Sequence, residues 1–462
     1  MSYVYGHFWI LTISLVVVSC SFTPKQANNN QDVKLVVLDP GHFHAGLLQK
    51  NPLTSVNDTV KVYAPEGAEV RQYLNDIKRY NQREENPTSW KEEIYIGEDY
   101  LARMLAERQG DVVVLAGNNR KKTNYILEAI KAGYNVLSDK PLAINKKDFD
   151  LLIQAYQLAR ERNLLLYDLM TERYDILNII EKALLNNTEL FGELQKGSLN
   201  EPAVYMESVH HFFKHVSGKP LIRPVWYYDT EQQGEGIADV STHLIDLVNW
   251  QCFPNEIIRY QSDVEVLEAR HWATRITLPE FSRSTQVDTF PAFLKKNIRN
   301  NVLEVLANGS LNYIVKGVHI GMKLIWNYTA SGDGGDTFTS IKKGSKATLK
   351  IIQDKENAFV KQLYIQRPAE SDCLEFEGHL RKAIKHLHRA FPFISVRKMK
   401  EGLYLIDIPQ ADRLGHEYHF TKVAESFLGY LRDNYMPEWE KENTISKYYI
   451  TTTAVELAAK KR

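Results

Sequence analysis

The chain has 462 residues, 44% of them hydrophobic and 25% charged, with Lys+Arg and Asp+Glu both at 57 and a formal net charge of zero. That composition excludes a disordered or fibrous chain, leaves room for two or three domains with real cores, and implies no nucleic-acid partner held by charge. It contains no internal repeat of the kind that builds solenoids.

The first stretch stands apart. "FWILTISLVVVSC", residues 8–20, is an apolar run with the length of a signal-peptide core, too short for a comfortable membrane span. Val17-Val18-Ser19-Cys20 resembles the bacterial lipobox, in which cleavage before the cysteine leaves it to carry lipid. The expectation is a signal peptide over 1–19 and a flexible tether over 20–32. Cys20 would be the lipidation site of an exported, periplasmic protein held at the membrane by its lipid anchor only. A plain secretory signal is the alternative. Only Cys252 and Cys373 remain beyond it, which is neither a disulfide framework nor a metal-binding cysteine set.

From residue 33 strand and helix alternate. "KLVVLDPG", "VKVYAP", "DVVVLAG", "YNVLSDKP" and "NLLLYDLM" read as strands. Between them "AEVRQYLNDIKRYNQREE", "EDYLARMLAERQ", "KKTNYILEAIKAG" and "KKDFDLLIQAYQLARER" read as helices. Continuous Val/Leu runs between helices predict a parallel sheet covered on both faces. The fold class is therefore α/β, with an N-terminal Rossmann-like doubly wound domain over 33–168. A second, α+β domain is expected over 169–369, its 255–365 region forming an open, largely antiparallel sheet of short alternating segments. Residues 370–462 read as an α+β appendage with a terminal helix.

In an open parallel sheet, ligands bind beyond the carboxyl ends of the strands. "DPGHFHAG", "AGNNRKK" and "SDKP" occupy those ends. Gly117-Asn118-Asn119 allows close backbone approach and offers amides. Lys140, placed before Pro141, is biased to an extended backbone and to the mouth of the site. A second constellation is "GEGIADVSTHLID", where Asp239, His243 and Asp246 are spaced four and three apart and so share one helical face. A carboxylate one turn from an imidazole suits acid–base work. A solvated polar face is the alternative, and one histidine with two acids makes no zinc set. His42 and His44, as a lone pair, read more readily as loop residues than as ligands, so no metal is expected.

Together, Asp139-Lys140-Pro141 and Gly236-Ile237-Ala238-Asp239-Val240-Ser241-Thr242-His243-Leu244-Ile245-Asp246 resemble the Glu-Lys-Pro and Gly-Gly-x-Leu-x-Asp-x-Gly-x-His-x-x-Asp motifs of the glucose–fructose oxidoreductase/inositol dehydrogenase (Gfo/Idh/MocA) family. The resemblance covers about residues 33–253 and extends through the sheet to about 365. It implies NAD or NADP as cofactor and a small-molecule carbohydrate substrate oxidised at a hydroxyl. Lys140, His243 and Asp239 would be catalytic. Gly41, His42, His44, Glu66, Gly117, Asn118, Asn119, Lys140 and Pro141 would line the cofactor site, and Arg223, Trp226, Tyr227 and Asp246 the substrate side. Asp39-Pro40-Gly41-His42-Phe43-His44 keeps only the middle glycine of the dinucleotide fingerprint, and Asp39 would put negative charge where the pyrophosphate lies. Two other readings stay open: a redox-neutral, NAD-dependent glycoside hydrolase, and a cofactor-free carbohydrate-binding lipoprotein. Oligomeric state and the particular sugar are left open.

Overall fold

The computed structural model describes residues 32–460 apart from 217, 218, 331 and 333. The expected signal peptide, Cys20 and all but the last residue of the tether lie outside the described residues.

Six parallel strands form the first sheet: β1 (Leu35–Leu38), β2 (Thr59–Ala64), β3 (Lys91–Ile96), β4 (Val112–Leu115), β5 (Asn135–Ser138) and β6 (Leu166–Asp168). Their order, β3-β2-β1-β4-β5-β6, reverses between β1 and β4, so the strand ends there open a crevice. Helices α1 (His44–Leu48), α2 (Ala68–Gln82), α3 (Tyr100–Glu107), α4 (Asn119–Lys131) and α5 (Lys146–Glu161) connect them. Alternation along β1 divides the core: Leu35 and Val37 pack with Tyr73 and Ile77 of α2. Val36 and Leu38 pack with Ile126 of α4 and Leu152 of α5. β3 is the strand the sequence does not announce. It is the edge strand, Ile94 and Ile96 are exposed, and an edge with one neighbour has no need of an apolar run.

After α6 (Ile176–Leu185) the chain builds a second, ten-stranded sheet. Its main path runs Val264–Thr277, Val302–Val315, Val318–Asn327, Val204–His211, Thr337–Lys343, Thr348–Gln353, Gln362–Gln366, Leu403–Asp407 and Ser395–Lys400. All neighbours are antiparallel except Val204–His211 and Val318–Asn327, which run parallel. The hairpin 395–407 thus continues the large sheet, instead of standing in a separate appendage. The helix His416–Asp433 goes the other way, seating Phe420, Val423, Ala424 and Phe427 in the Rossmann core. The last helix, Glu438–Lys460, touches both domains. Ile445 and Tyr448 join the Rossmann core, while Ile450, Ala454 and Ala458 join the core under the second sheet. Residues 370–462 are therefore shared between the two domains. Among the described residues no helix is long and apolar enough to cross a membrane.

Candidate active site

β5 ends at Ser138 and carries Asp139 and Lys140 to the rim of the crevice. From there Lys140 reaches the second domain and pairs with Asp239, both side chains close to nine-tenths buried at 12% and 8% exposure. Asp239 closes a short helix (Gly236–Asp239) that presses directly on the sheet, since a Cβ on Gly236 would lie 1.8 Å from the carbonyl oxygen of Ala307. Gln233 Nε2 donates to the second oxygen of Asp239 at 3.0 Å. Burial opposes ionisation of this carboxyl, yet Lys140, Gln233 and His243 together hold it below the usual range. His243 follows one turn later on the helix Ser241–Cys252, half-buried and near enough for its charge to act on Asp239. The expected single helix is broken between Asp239 and Ser241. Lys140, Asp239 and His243 nonetheless meet.

Beside them lies a small cleft lined by Asp239, Gln233, Gly234, Phe212, Tyr227 and Trp326 among others. Of the expected substrate residues, Tyr227 lines this cleft. Arg223 and Trp226 do not. The Arg223 guanidinium donates to the carbonyls of Phe212 (3.0 Å) and His211 (3.2 Å) and lies 4.5 Å over the Tyr227 ring. It braces the aromatic wall from behind, and Trp226 is buried against Tyr227. Asp246 is also placed elsewhere: Arg173 donates to both its oxygens at 2.6 and 2.7 Å and Lys447 to one at 3.2 Å. Spacing alone put it on the face of His243. The buried cations draw it into the junction between the domains.

The expected cofactor residues lie at the ends of β1, β2, β4 and β5. The loops after β1 and β4 abut, because a Cβ on Gly117 would meet the Asp39 carbonyl oxygen at 2.4 Å. The amides of Gly41 and His42 both donate to Ala116 at 3.0 Å. Asn118 donates to Gln232 (2.8 Å) and Asn119 to the Gln233 carbonyl (2.8 Å), so these two tie the domains together across the crevice. Glu66 pairs with Arg71 at the exposed tip beyond β2. Asp39 turns its carboxylate to Tyr125 (2.8 Å), Lys121 (3.3 Å) and Tyr100 (3.4 Å), which absorb the charge that the sequence seemed to aim at a pyrophosphate. His42 and His44 both bond Asp139. Lys122 is buried beneath, donating to Asn119 Oδ1 (2.6 Å) and the Asp139 carbonyl (2.9 Å), and burial lowers it to about 8. The β1 loop offers fewer amides than the glycine fingerprint would.

Three groups escape a reading of the sequence. Gln233 and Trp326 carry no motif. His210, His211 and Lys214 gather on Asp336 at 3.6, 2.8 and 2.6 Å, and His210 stacks on Trp326 at 5.0 Å. The "HHFFKH" run hinted at this, but its acidic partner is 125 residues from His211.

A six-stranded Rossmann sheet, a lysine–proline at the end of its fifth strand and an Asp-x-x-x-His facing it from a large mixed sheet define a two-domain oxidoreductase of the dinucleotide-binding type. Comparison with known proteins agrees. Residues 41–167 match the model "Oxidoreductase family, NAD-binding Rossmann fold", and residues 180–459 match "Putative oxidoreductase C terminal domain". The chain belongs to the Gfo/Idh/MocA oxidoreductases. It is 46% identical to a "putative oxidoreductase from Parabacteroides merdae ATCC 43184", covering 94% of this chain and 98% of that one with a TM-score of 0.92. The fold is also similar to levoglucosan dehydrogenase (13% identity, 93% and 97% covered, TM-score 0.58). A 3-ketoreductase from Actinomadura kijaniata, solved with NADP, shares it as well (14% identity, 91% and 96% covered, TM-score 0.52). No curated protein matches the chain in sequence.

Proposed function

We propose that the protein is an NAD(P)-dependent oxidoreductase acting on a hydroxyl of a sugar, glycoside or polyol. The observation that carries this is the Lys140–Asp239 pair, which joins the fifth Rossmann strand to the second domain with His243 one turn away. Tyr227, Phe212 and Trp326 line the cleft beside it, and Gln233 there is a hydrogen-bonding group for hydroxyls. Two fold neighbours, a levoglucosan dehydrogenase and a 3-ketoreductase, support the substrate class.

In this reading His243 takes the proton from the reacting hydroxyl, and Asp239 orients and favours the charged imidazole. Lys140 stabilises the developing alkoxide, whose charge is discharged when the hydride leaves and the carbonyl forms. Nicotinamide, when bound, supplies the hydride acceptor. Gly117 and Lys140 would hold its redox end and the ends of β1 and β2 the remainder. Cys20 would carry the lipid that anchors an exported enzyme, so the cofactor would stay bound between turnovers.

The test uses the purified full chain. Acid extraction should release NAD(P), or added NAD(P) should bind with a change in nicotinamide fluorescence. Lys140→Ala and His243→Ala should each abolish oxidation of a sugar found by screening while leaving the circular dichroism unchanged. A protein that neither carries nor binds the dinucleotide, or two variants with full activity, would overturn the proposal.

A further inference from the structure

We propose that His42, His44 and Asp139 form a binding site for one divalent transition-metal ion of the zinc or iron(II) type. Nδ1 of His42 and Nδ1 of His44 each lie 3.0 Å from the same oxygen, Oδ2, of Asp139. All three ligand atoms fall within 4.8 Å of one another. Metal–ligand bonds of about 2.1 Å place neighbouring donors about 3.0 Å apart at right angles and about 3.4 Å apart in a tetrahedron. The two nitrogen–oxygen distances are at that spacing. His44 Nδ1 lies 3.0 Å from Oδ1 as well, and the two imidazole rings stand edge-on at 4.0 Å, so donors from the β1 loop and the end of β5 converge on one carboxylate.

Lys122 bonds the backbone carbonyl of Asp139 and Asn119, leaving the carboxylate to the imidazoles. Two histidines with one carboxylate are a donor set for zinc or iron(II), with the remaining positions left for water or an anionic oxygen. Exposure is graded to suit: the Asp139 and His44 side chains are 3% and 9% exposed, and His42 is 20% exposed and forms the open side. Asp139 replaces the glutamate of the Glu-Lys-Pro motif, and His44 stands at the last glycine of the fingerprint. Two of the positions at which this chain leaves those motifs, Asp139 and His44, are in contact here. The inference rests on this cluster and stands apart from the choice of substrate.

The untagged full chain is stripped with a chelator and titrated with Co²⁺, following its visible ligand-field absorption and the heat of binding. One equivalent should bind, and Zn²⁺ should displace it. His42→Ala, at the most exposed ligand, should weaken Co²⁺ at least about tenfold, and Asp139→Asn should do the same. Circular dichroism of His42→Ala confirms folding, so that this variant alone decides the matter should Asp139→Asn misfold. Failure of the stripped chain to bind Co²⁺, or unchanged affinity in folded His42→Ala, would overturn the site. NAD(P) binding is measured separately on the same preparation, so loss of the metal site leaves the oxidoreductase reading to be judged on its own data.

Discussion

Replacing Asp246 by Asn separates two roles for that carboxylate. In the structure it is 4% exposed and held by two bonds from Arg173 and one from Lys447. Burial works against its charge, but the two cations lower it from 3.8 to about 2. That difference corresponds to about 2 kcal/mol in favour of the folded state. Removing one member of a buried ion pair costs about 3–5 kcal/mol, reduced here because Arg173 keeps Glu440 and Lys447 keeps Asp168. A loss of about 2–3 kcal/mol is therefore expected at neutral pH. Urea unfolding should show a lower midpoint with an unchanged slope. The sign with pH follows from the lowered value. The contribution is fully present above the ordinary carboxylate value of about 4 and disappears as pH falls toward about 2. The gap between variant and parent should close over that interval. A variant as stable as the parent at neutral pH yet inactive would refute the structural role and return Asp246 to the substrate.

Lys122→Met should remove a pH dependence. Burial lowers Lys122 to about 8, so between there and about 10.4 the unfolded chain holds a proton that the folded chain lacks, and stability rises with pH. Against the parent, the variant's relative stability at neutral pH should exceed that near pH 10 by about 3 kcal/mol, measured by urea unfolding; parallel profiles would contradict the burial argument. Phe420→Ala removes a ring that is 1% exposed in the Rossmann core and should cost about 3–5 kcal/mol, seen as faster amide exchange in β1 and β2; a loss below about 1 kcal/mol would mean the helix is a loose addition. Asp239→Asn keeps the shape of the side chain while removing its charge, and kcat should fall about 100-fold with little change in KM; an unchanged kcat would place the acid–base work elsewhere.

The parts of the fold that the sequence announces are those whose environment is uniform. Val112–Leu115 is covered on both faces and reads as an unbroken apolar run, as does β1. β3 carries Lys91, Glu92 and Glu93 because one edge and much of its surface face water, and it gives no such signal. At the site, spacing and a proline mark Lys140, Asp239 and His243 as polar groups at strand and helix ends, and it is the resemblance of Asp139-Lys140-Pro141 and Gly236–Asp246 to the family's motifs that singles them out. The contact of Asp139 with His44 is not marked, since it joins positions 95 residues apart. The helix Glu438–Lys460 is the hardest case. It buries Glu440, Asn443, Thr444, Ser446, Lys447, Thr451 and Thr452, so it shows no apolar stripe, and only the folded chain supplies the partners that make such burial tolerable.

Those buried polar groups bear on the chemistry. Lys447 bridges Asp168, at the end of β6, to Asp246, three residues along the helix from His243. Arg173, on the segment between the domains, bridges Asp246 to Glu440 of the same terminal helix. Apolar packing between two domains tolerates sliding by a fraction of a side chain. A chain of directional ion pairs does not, and burial makes each mismatch costly. The end of β5 that leads to Lys140 and the helix bearing His243 are thus indexed to one another through a helix that does not line the cleft. In the proposed reaction a lysine and an imidazole on separate domains act on one hydroxyl only if their separation is fixed to within a fraction of an ångström. The terminal helix supplies that constraint, which accounts for so many charges lying where hydrophobic residues would have packed more simply.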